Sequence, residues 1–209
     1  MSSSPAFLDP VVLPLVRGKT VLDVGCGLGR WGALLRSNFW ECEGMDSPPA
    51  VEGFDAFEPN VETCQRSQFY RRVWQQVLPS ALSGEWDTVL ACEIIEHVPQ
   101  ESVDETLALL EGVARQRGEV RRRQDHALRP GHETIVGFNS YEAHLSTITR
   151  RELARRGYRL TGAGFGNPES RISRLGARMR MSPQYVLESI PRLIPWLAQL
   201  IVAYKDVSL

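Results

Sequence analysis

Short apolar runs alternate with segments of helical periodicity along most of the chain. Val21, Leu22 and Val24 form one run and Trp86–Cys92 forms another, and both are typical of strands buried in a parallel sheet. The alternation predicts an α/β fold. The other predicted elements are a helix within 7–16, a helix over 31–36, a strand over 51–55, a helix beginning near Pro59, a strand within 70–76, a helix from 103 to about Arg117, a helix from 150 that Gly157 ends, and strands over 158–165 and 200–204. The helices from 103 and 150 each begin with a predicted capping box, Ser102 with Glu105 and Thr149 with Glu152.

One segment interrupts this alternation. After the helix that ends near Arg117, the pattern requires an apolar fifth strand, yet the chain places Arg121, Arg122 and Arg123 there. Three adjacent guanidinium groups are costly inside a sheet that is covered on both faces, so we expect them at or beyond a sheet edge or in a loop. The fifth strand is then short and irregular, or residues 134–138 take its place, or the chain diverges from the usual pattern.

A glycine-rich turn follows the first strand. Gly25, Gly27 and Gly29 alternate there, and glycine lets the backbone approach a ligand closely, while the next helix offers its unpaired N–H groups. A dinucleotide-binding turn places its third glycine where this chain has Arg30, which disfavours a nicotinamide-dependent oxidoreductase.

The turn, written D-x-G-x-G-x-G, resembles motif I of the class I S-adenosylmethionine (SAM) methyltransferases. The resemblance covers roughly residues 12–165 and implies a Rossmann-like three-layer sandwich. Its sheet has seven strands and is mostly parallel, with the last strand antiparallel. The residues that the resemblance assigns to SAM binding around the turn are Asp23, Gly25, Cys26, Gly27 and Gly29.

An acidic residue at the end of the second strand is expected to accept the ribose hydroxyl groups of SAM. Asp46 has a spacing from Asp23 closer to the usual value of about 20 residues, but Asp55 is followed directly by a helical pattern. We prefer Asp55, with Ala56 beside it, and keep Asp46 as the alternative. Cys92 and Glu93, which end the fourth strand, are expected at the methionine end of the cofactor.

The loop after the fourth strand contains E-x-x-E-H, formed by Glu93, Glu96 and His97. It resembles the corresponding loop of methyltransferases of quinone biosynthesis and of small-RNA 3′-end 2′-O-methyltransferases, in which this motif and a later histidine are associated with a divalent metal. His144 matches that later histidine. The resemblance implies Glu96, His97 and His144 as catalytic residues and Glu93, Glu96, His97 and His144 as ligands of a divalent metal. In metal-free small-molecule methyltransferases, however, a similar loop only positions the substrate.

Composition narrows the choice of partner and compartment. The 209 residues carry a net charge of −1, which argues against a chain built mainly to hold nucleic acid. The four cysteines form no C-x-x-C pair, and the apolar stretch at 190–204 is too short and too interrupted to span a bilayer. We therefore predict one domain over 1–209 with a disordered tail at 1–5, located in the cytoplasm and without membrane insertion.

The predicted function is SAM-dependent methyl transfer to a hydroxyl group of a small molecule. RNA 2′-O-methylation is the alternative within enzymes, and a SAM-binding protein without catalysis is the alternative outside them. The oligomeric state stays open.

Overall fold

The computed structural model describes residues 4–123, 130–165, 192 and 198–207. Its main feature is a seven-stranded sheet of order β3-β2-β1-β4-β5-β9-β8, in which the first five strands are parallel and β9 runs antiparallel to both β5 and β8. This confirms the predicted sheet, including its antiparallel last strand. The strands are β1 (Thr20–Val24), β2 (Ala50–Asp55), β3 (Arg72–Gln75), β4 (Trp86–Cys92), β5 (Ala114–Arg123), β6 (His132–Thr134), β7 (Gly137–Asn139), β8 (Arg159–Phe165) and β9 (Ala198–Asp206); β6 and β7 form a separate hairpin.

Both faces of the sheet are buried, because successive side chains of each strand point to opposite sides. Leu22 and Val89 belong to one hydrophobic cluster, whereas their neighbours Val21 and Leu90 belong to a second. The first cluster includes Leu107 of α4, and the second includes Leu35 of α2, so helices cover both faces. The described helices are α1 (Asp9–Val12), α2 (Arg30–Ser37), α3 (Glu58–Ser67), α4 (Val103–Val113) and α5 (Arg150–Arg155).

The helix predicted within 7–16 is broken into three short pieces. α1 has four residues and lies between the 3₁₀ turns Ala6–Leu8 and Leu13–Leu15. Pro10 and Pro14 each lie in the first turn of a piece, where a missing N–H group is tolerated, so a proline at each position favours a new start over continuation. The segment still packs against the sheet through Leu8, Val12 and Leu13.

The expectation for the arginine-rich segment was wrong. α4 ends at Val113, and β5 begins at Ala114 and runs through Arg123 between β4 and β9, inside the sheet. The backbone of Arg121 pairs with Cys92 on one side and with Val202 on the other. β4 ends at that pair, so the two arginines that follow are paired with β9 alone. Residues 134–138 fall on the hairpin and do not replace the strand.

A buried arginine earlier in β5 is neutralised by an ion pair. Arg117 is 3 % exposed, and its Nη2 and Nε donate to Asp206 Oδ1 at 2.6 and 3.0 Å, while its Nη1 donates to the Leu15 carbonyl at 3.2 Å. These hydrogen bonds from Arg117 hold the pKa of Asp206 below its usual value. The hydrophobic pattern gave no indication of this strand, because the ion pair supplies what apolar side chains usually do.

The two predicted capping boxes had different outcomes. Thr149 caps α5, because its side chain accepts from the Glu152 N–H while the Glu152 side chain accepts from the Thr149 N–H. Ser102 makes no side-chain cap on α4, because Gln100–Ser102 form a 3₁₀ turn that leads directly into the helix.

Within the described residues, no helix has the length and apolar character needed to cross a membrane. Of the tail predicted for 1–5, residues 1–3 lie outside the described residues. The single domain over 1–209 and the cytoplasmic location stay predictions.

Candidate active site

A cavity of about 650 Å³ opens at the carboxyl ends of β1, β2 and β4, where the strand order changes direction between β1 and β4. Such switch points are the usual ligand sites of open α/β sheets. Most of the residues singled out in the sequence line this one cavity, namely Gly25, Cys26, Gly27, Asp55, Ala56, Cys92, Glu93, Glu96, His97 and His144. Asp23 and Gly29 lie outside its lining.

The turn after β1 requires glycine for two separate reasons. Gly25 has φ +66°, and a Cβ atom there would lie 1.9 Å from Ile94 Cδ1 in the loop after β4. Gly29 has φ +85° and is the N-cap of α2. The positive φ angles and the close approach to Ile94 leave the backbone at Gly25 and Gly27 as the surface of the cavity wall.

Asp55 is held beside this turn. Its Oδ2 accepts from the Gly27 N–H at 2.8 Å, and its Oδ1 accepts from the Phe57 N–H at 2.9 Å. Burial raises the pKa of Asp55, although these two N–H groups and a hydrogen bond from Asn60 act in the opposite direction. Asp46 lies in an exposed bend outside the cavity lining. The geometry therefore favours Asp55 as the acid that faces a ligand.

Asp23 braces the turn from below. It is 1 % exposed, and the Tyr70 hydroxyl donates to its Oδ2 at 2.6 Å while accepting from the Gly32 N–H at 3.1 Å. Burial raises the pKa of Asp23 to about 7, the Tyr70 hydrogen bond lowers it, and the nearby Asp55 charge raises it further. The sequence analysis missed Tyr70, because a tyrosine just before a short strand carries no signal that its hydroxyl reaches β1 and α2.

Glu96, His97 and His144 form a cluster on the opposite wall. One ligand atom from each lies within 4.8 Å of the others, and Glu96 is buried. The His97 and His144 rings meet edge to face, with centroids 5.0 Å apart. Glu93 lies outside this cluster although it lines the same cavity. It has φ +58° and precedes the 3₁₀ turn Ile95–His97 that carries the other two loop residues.

The segment that carries His144 is docked onto this 3₁₀ turn by backbone hydrogen bonds. The N–H groups of Leu145 and Ser146 donate to the Glu96 carbonyl at 2.7 and 3.2 Å, and the Ser146 hydroxyl donates to the Ile95 carbonyl at 2.6 Å. His97 Nδ1 lies 3.0 Å from the Ala143 carbonyl. Because a carbonyl can only accept, Nδ1 carries the proton, and Nε2 of the neutral ring has the lone pair.

The cavity also contains residues that the sequence analysis did not assign. Asn139, Tyr141 and Glu142 line it from the end of the β6–β7 hairpin and the turn after it, and Arg30 lines it from the start of α2. The hairpin residues are found only once the chain is folded, since they follow the arginine-rich segment whose placement the sequence left open.

Comparison with known proteins points to one family. A family model described as a methyltransferase domain matches residues 5–165. The ubiquinone biosynthesis O-methyltransferase of Acinetobacter baumannii (strain AYE) is 34% identical over 85 residues, which are 39% of this chain and 34% of that protein. The protein of that name from Pseudomonas putida (strain W619) is 32% identical over 88 residues, 41% of this chain and 36% of that protein. The chain thus spans about a third of the length of the curated relatives it matches.

Solved structures share the fold. Magnesium protoporphyrin IX methyltransferase from Synechocystis PCC 6803, crystallised with SAM, superposes with a TM-score of 0.54 and 17% identity over 97% of this chain and 74% of that one. A SAM-dependent methyltransferase from Archaeoglobus fulgidus superposes with a TM-score of 0.56 and 16% identity over 96% of this chain and 91% of that one. At these identities the likeness concerns the fold alone. With the family model matched over most of its length, this chain belongs to the methyltransferase domain family and is a class I methyltransferase whose cofactor is SAM.

Proposed function

We propose that this chain transfers the methyl group of SAM to a hydroxyl group of a small molecule, and that a divalent cation held by Glu96, His97 and His144 assists the transfer. The observation that carries the proposal is the position of this three-residue cluster in the wall of the same cavity that the glycine turn and Asp55 line. The partial match to ubiquinone biosynthesis O-methyltransferases supports transfer to oxygen.

The cofactor would lie along the wall formed by β1, β2 and β4. The backbone of Gly25, Cys26 and Gly27 allows close approach, and Asp55 offers carboxylate oxygens to ribose hydroxyl groups. Ala56 would lie beside Asp55 at the nucleoside end, and Cys92 and Glu93 would lie at the methionine end. Asp23 and Gly29 would act from behind this wall by fixing the turn.

The cluster fits a first-row transition ion. One carboxylate and two imidazoles suit Mn²⁺, Fe²⁺, Co²⁺ or Zn²⁺ better than Mg²⁺, which prefers oxygen ligands. The hydrogen bond from His97 Nδ1 to the Ala143 carbonyl orients the ring with its Nε2 lone pair available, as is usual for histidine ligands. A cation at this position would lower the pKa of a substrate hydroxyl group.

The other task of the chain is to position the substrate oxygen. Methyl transfer from a sulfonium is an in-line displacement, so the wall opposite the cofactor must hold the oxygen on the axis of the breaking bond. The Glu96 carboxylate and His97 Nε2 are the groups placed to accept the hydroxyl proton.

The surroundings favour a small and partly apolar substrate over RNA. Asp55, Glu93, Glu96 and Glu142 all line the cavity, and this acidic lining would repel a phosphate backbone. Beside the hairpin residues of the lining, Ile135, Phe138 and Leu145 are exposed and offer apolar surface.

Chelation tests the proposal. With methyl-labelled SAM and a panel of catechols and phenols, we expect transfer to stop in excess EDTA and to return with Mn²⁺, Co²⁺ or Zn²⁺. The affinity for S-adenosylhomocysteine (SAH) should be unchanged. Full activity in EDTA would exclude the metal and leave His97 or His144 as a general base. SAH binding without transfer to any hydroxyl probe would favour a binding protein, and transfer to single-stranded RNA would favour the RNA alternative.

A further inference from the structure

Arg30 has a position in the cavity that the proposed function leaves unexplained. It is the first residue of α2, directly after Gly29, and it lines the cavity beside Gly27 and Trp31. Among the cavity-lining residues that the structure describes, it is the one arginine or lysine. It is also the residue that occupies the third glycine position of a dinucleotide-binding turn.

The Arg30 side chain is fixed from two sides. Its Nη2 donates to Asp9 Oδ1 at 2.6 Å, and its guanidinium carbon lies 5.1 Å from the centroid of the Trp31 ring. The side chain is 21% exposed, so most of it is held within the wall. A guanidinium anchored in this way keeps its remaining donors in a defined direction.

One of those donors has no acceptor. Arg30 Nη1 is buried, and no atom of the described residues accepts a hydrogen bond from it. A buried donor without an acceptor is destabilising, and such groups in folded proteins require an explanation. An anionic ligand is the explanation that the surroundings support, because the N-terminus of α2 adds a favourable field for negative charge at the same place.

We infer that Arg30 binds the carboxylate of the methionine part of SAM, with Asp9 as the residue that positions the guanidinium. This rests on the cofactor placement of the proposed function. The ammonium and sulfonium groups of SAM suit the acidic lining, whereas its single carboxylate needs a cation, and Arg30 is the arginine that this cavity offers. Ser4 and Pro5, which line the cavity with Arg30, close this end of the site.

The competing explanation is that Arg30 only joins α2 to α1 through Asp9. The two explanations differ in what a ligand without a carboxylate would detect. SAH carries the amino acid part, decarboxylated SAM lacks only the carboxylate, and 5′-methylthioadenosine keeps the adenosine and thioether but lacks the whole amino acid part.

Calorimetric titration of these three ligands into the full chain separates the explanations. For Arg30→Met, we expect SAH affinity to fall by about 10- to 100-fold, the effect of losing a charge-assisted hydrogen bond. The affinities for decarboxylated SAM and 5′-methylthioadenosine should change less than about twofold. Arg30→Lys, which keeps the charge but loses the planar fork, should weaken SAH by an intermediate factor.

Asp9→Asn is the matched control, because it removes the ion pair and keeps Arg30. It should weaken SAH binding less than Arg30→Met does and leave the other two ligands unaffected. Equal weakening of all three ligands by Arg30→Met and Arg30→Lys, or no weakening of any, would overturn the inference. If the unaltered chain binds 5′-methylthioadenosine but not SAH, the inference also fails. If it binds neither, the cofactor placement itself fails.

Discussion

The two walls of the cavity are built in different ways. The glycine-turn wall (Gly25, Cys26, Gly27 and Asp55) comes from the ends of two adjacent parallel strands, and its residues are joined by the hydrogen bond from Gly27 to Asp55. The histidine wall (Glu96, His97 and His144) comes from two loops far apart in sequence, which are held together by hydrogen bonds to the Ile95 and Glu96 carbonyls.

This difference assigns separate tasks to the two walls. The glycine-turn wall continues the packed centre of the sheet and offers backbone atoms and a carboxylate, which suits binding of a constant cofactor. The histidine wall depends on the docking of one loop on another and carries the titratable side chains. Substitutions in the first wall should therefore change cofactor affinity, and those in the second should change methyl transfer.

Glu96→Gln should have the largest effect. The variant keeps the size of the side chain but removes the charge of the cluster, so we expect methyl transfer to fall by about 10³-fold. SAH affinity should stay within about threefold, since Glu96 lies on the histidine wall. Turnover of labelled SAM and SAH calorimetry provide the two measurements, and a parallel loss of both would remove the distinction between the walls.

Asp55→Ala should act on the other wall. Loss of a hydrogen bond to a charged group costs about 1.5–3 kcal/mol, which corresponds to a drop in SAH affinity of about 10- to 100-fold. Asp46→Ala is the control, because that carboxylate is exposed and lies outside the cavity lining. Calorimetry in which Asp46→Ala weakens binding and Asp55→Ala does not would show that the wrong acid has been assigned to the ribose.

Asp23→Asn should change how stability depends on pH. With a pKa of about 7 in the folded chain and 3.8 as its ordinary value, Asp23 binds a proton in the native state but not in the unfolded state between these limits. Its contribution to the free energy of unfolding then falls as pH rises from 4 to 7, by at most about 1.4 kcal/mol per pH unit.

Urea denaturation at pH 5 and pH 7 measures this contribution. The unaltered chain should lose more stability over the interval than Asp23→Asn does. Asp55, whose pKa is also raised, contributes in the same direction in both proteins. Equal losses would mean that the Asp23 carboxyl has an ordinary pKa despite its burial.

Ser146→Ala should have the smallest effect. It removes the hydrogen bond from the Ser146 hydroxyl to the Ile95 carbonyl, and we expect a loss of about 1 kcal/mol in the free energy of unfolding. Turnover should fall severalfold while SAH affinity is retained, because the bond positions the segment of His144. Unchanged turnover with reduced stability would show that this docking is structural only.

The sequence predicted the glycine-turn wall better than the histidine wall. The turn and the strands before and after it follow from local residue choice, since positive φ angles require glycine and buried strands require apolar runs. β5 could not be found in this way, because its buried Arg117 is balanced by Asp206, a residue from the far end of the chain. The docking of the His144 segment likewise depends on backbone hydrogen bonds that leave no pattern in side chains. The E-x-x-E-H resemblance named Glu96, His97 and His144, but not the exclusion of Glu93 from their cluster, which follows from its positive φ angle.

A crystal structure with SAH and Co²⁺, with anomalous diffraction recorded at the cobalt edge, tests the division between the walls most directly. Our account predicts the ribose hydroxyl groups at Asp55 and one anomalous peak bounded by Glu96, His97 and His144. A ribose at Asp46, or cobalt absent from this cluster in crystals that contain ordered SAH, would contradict it.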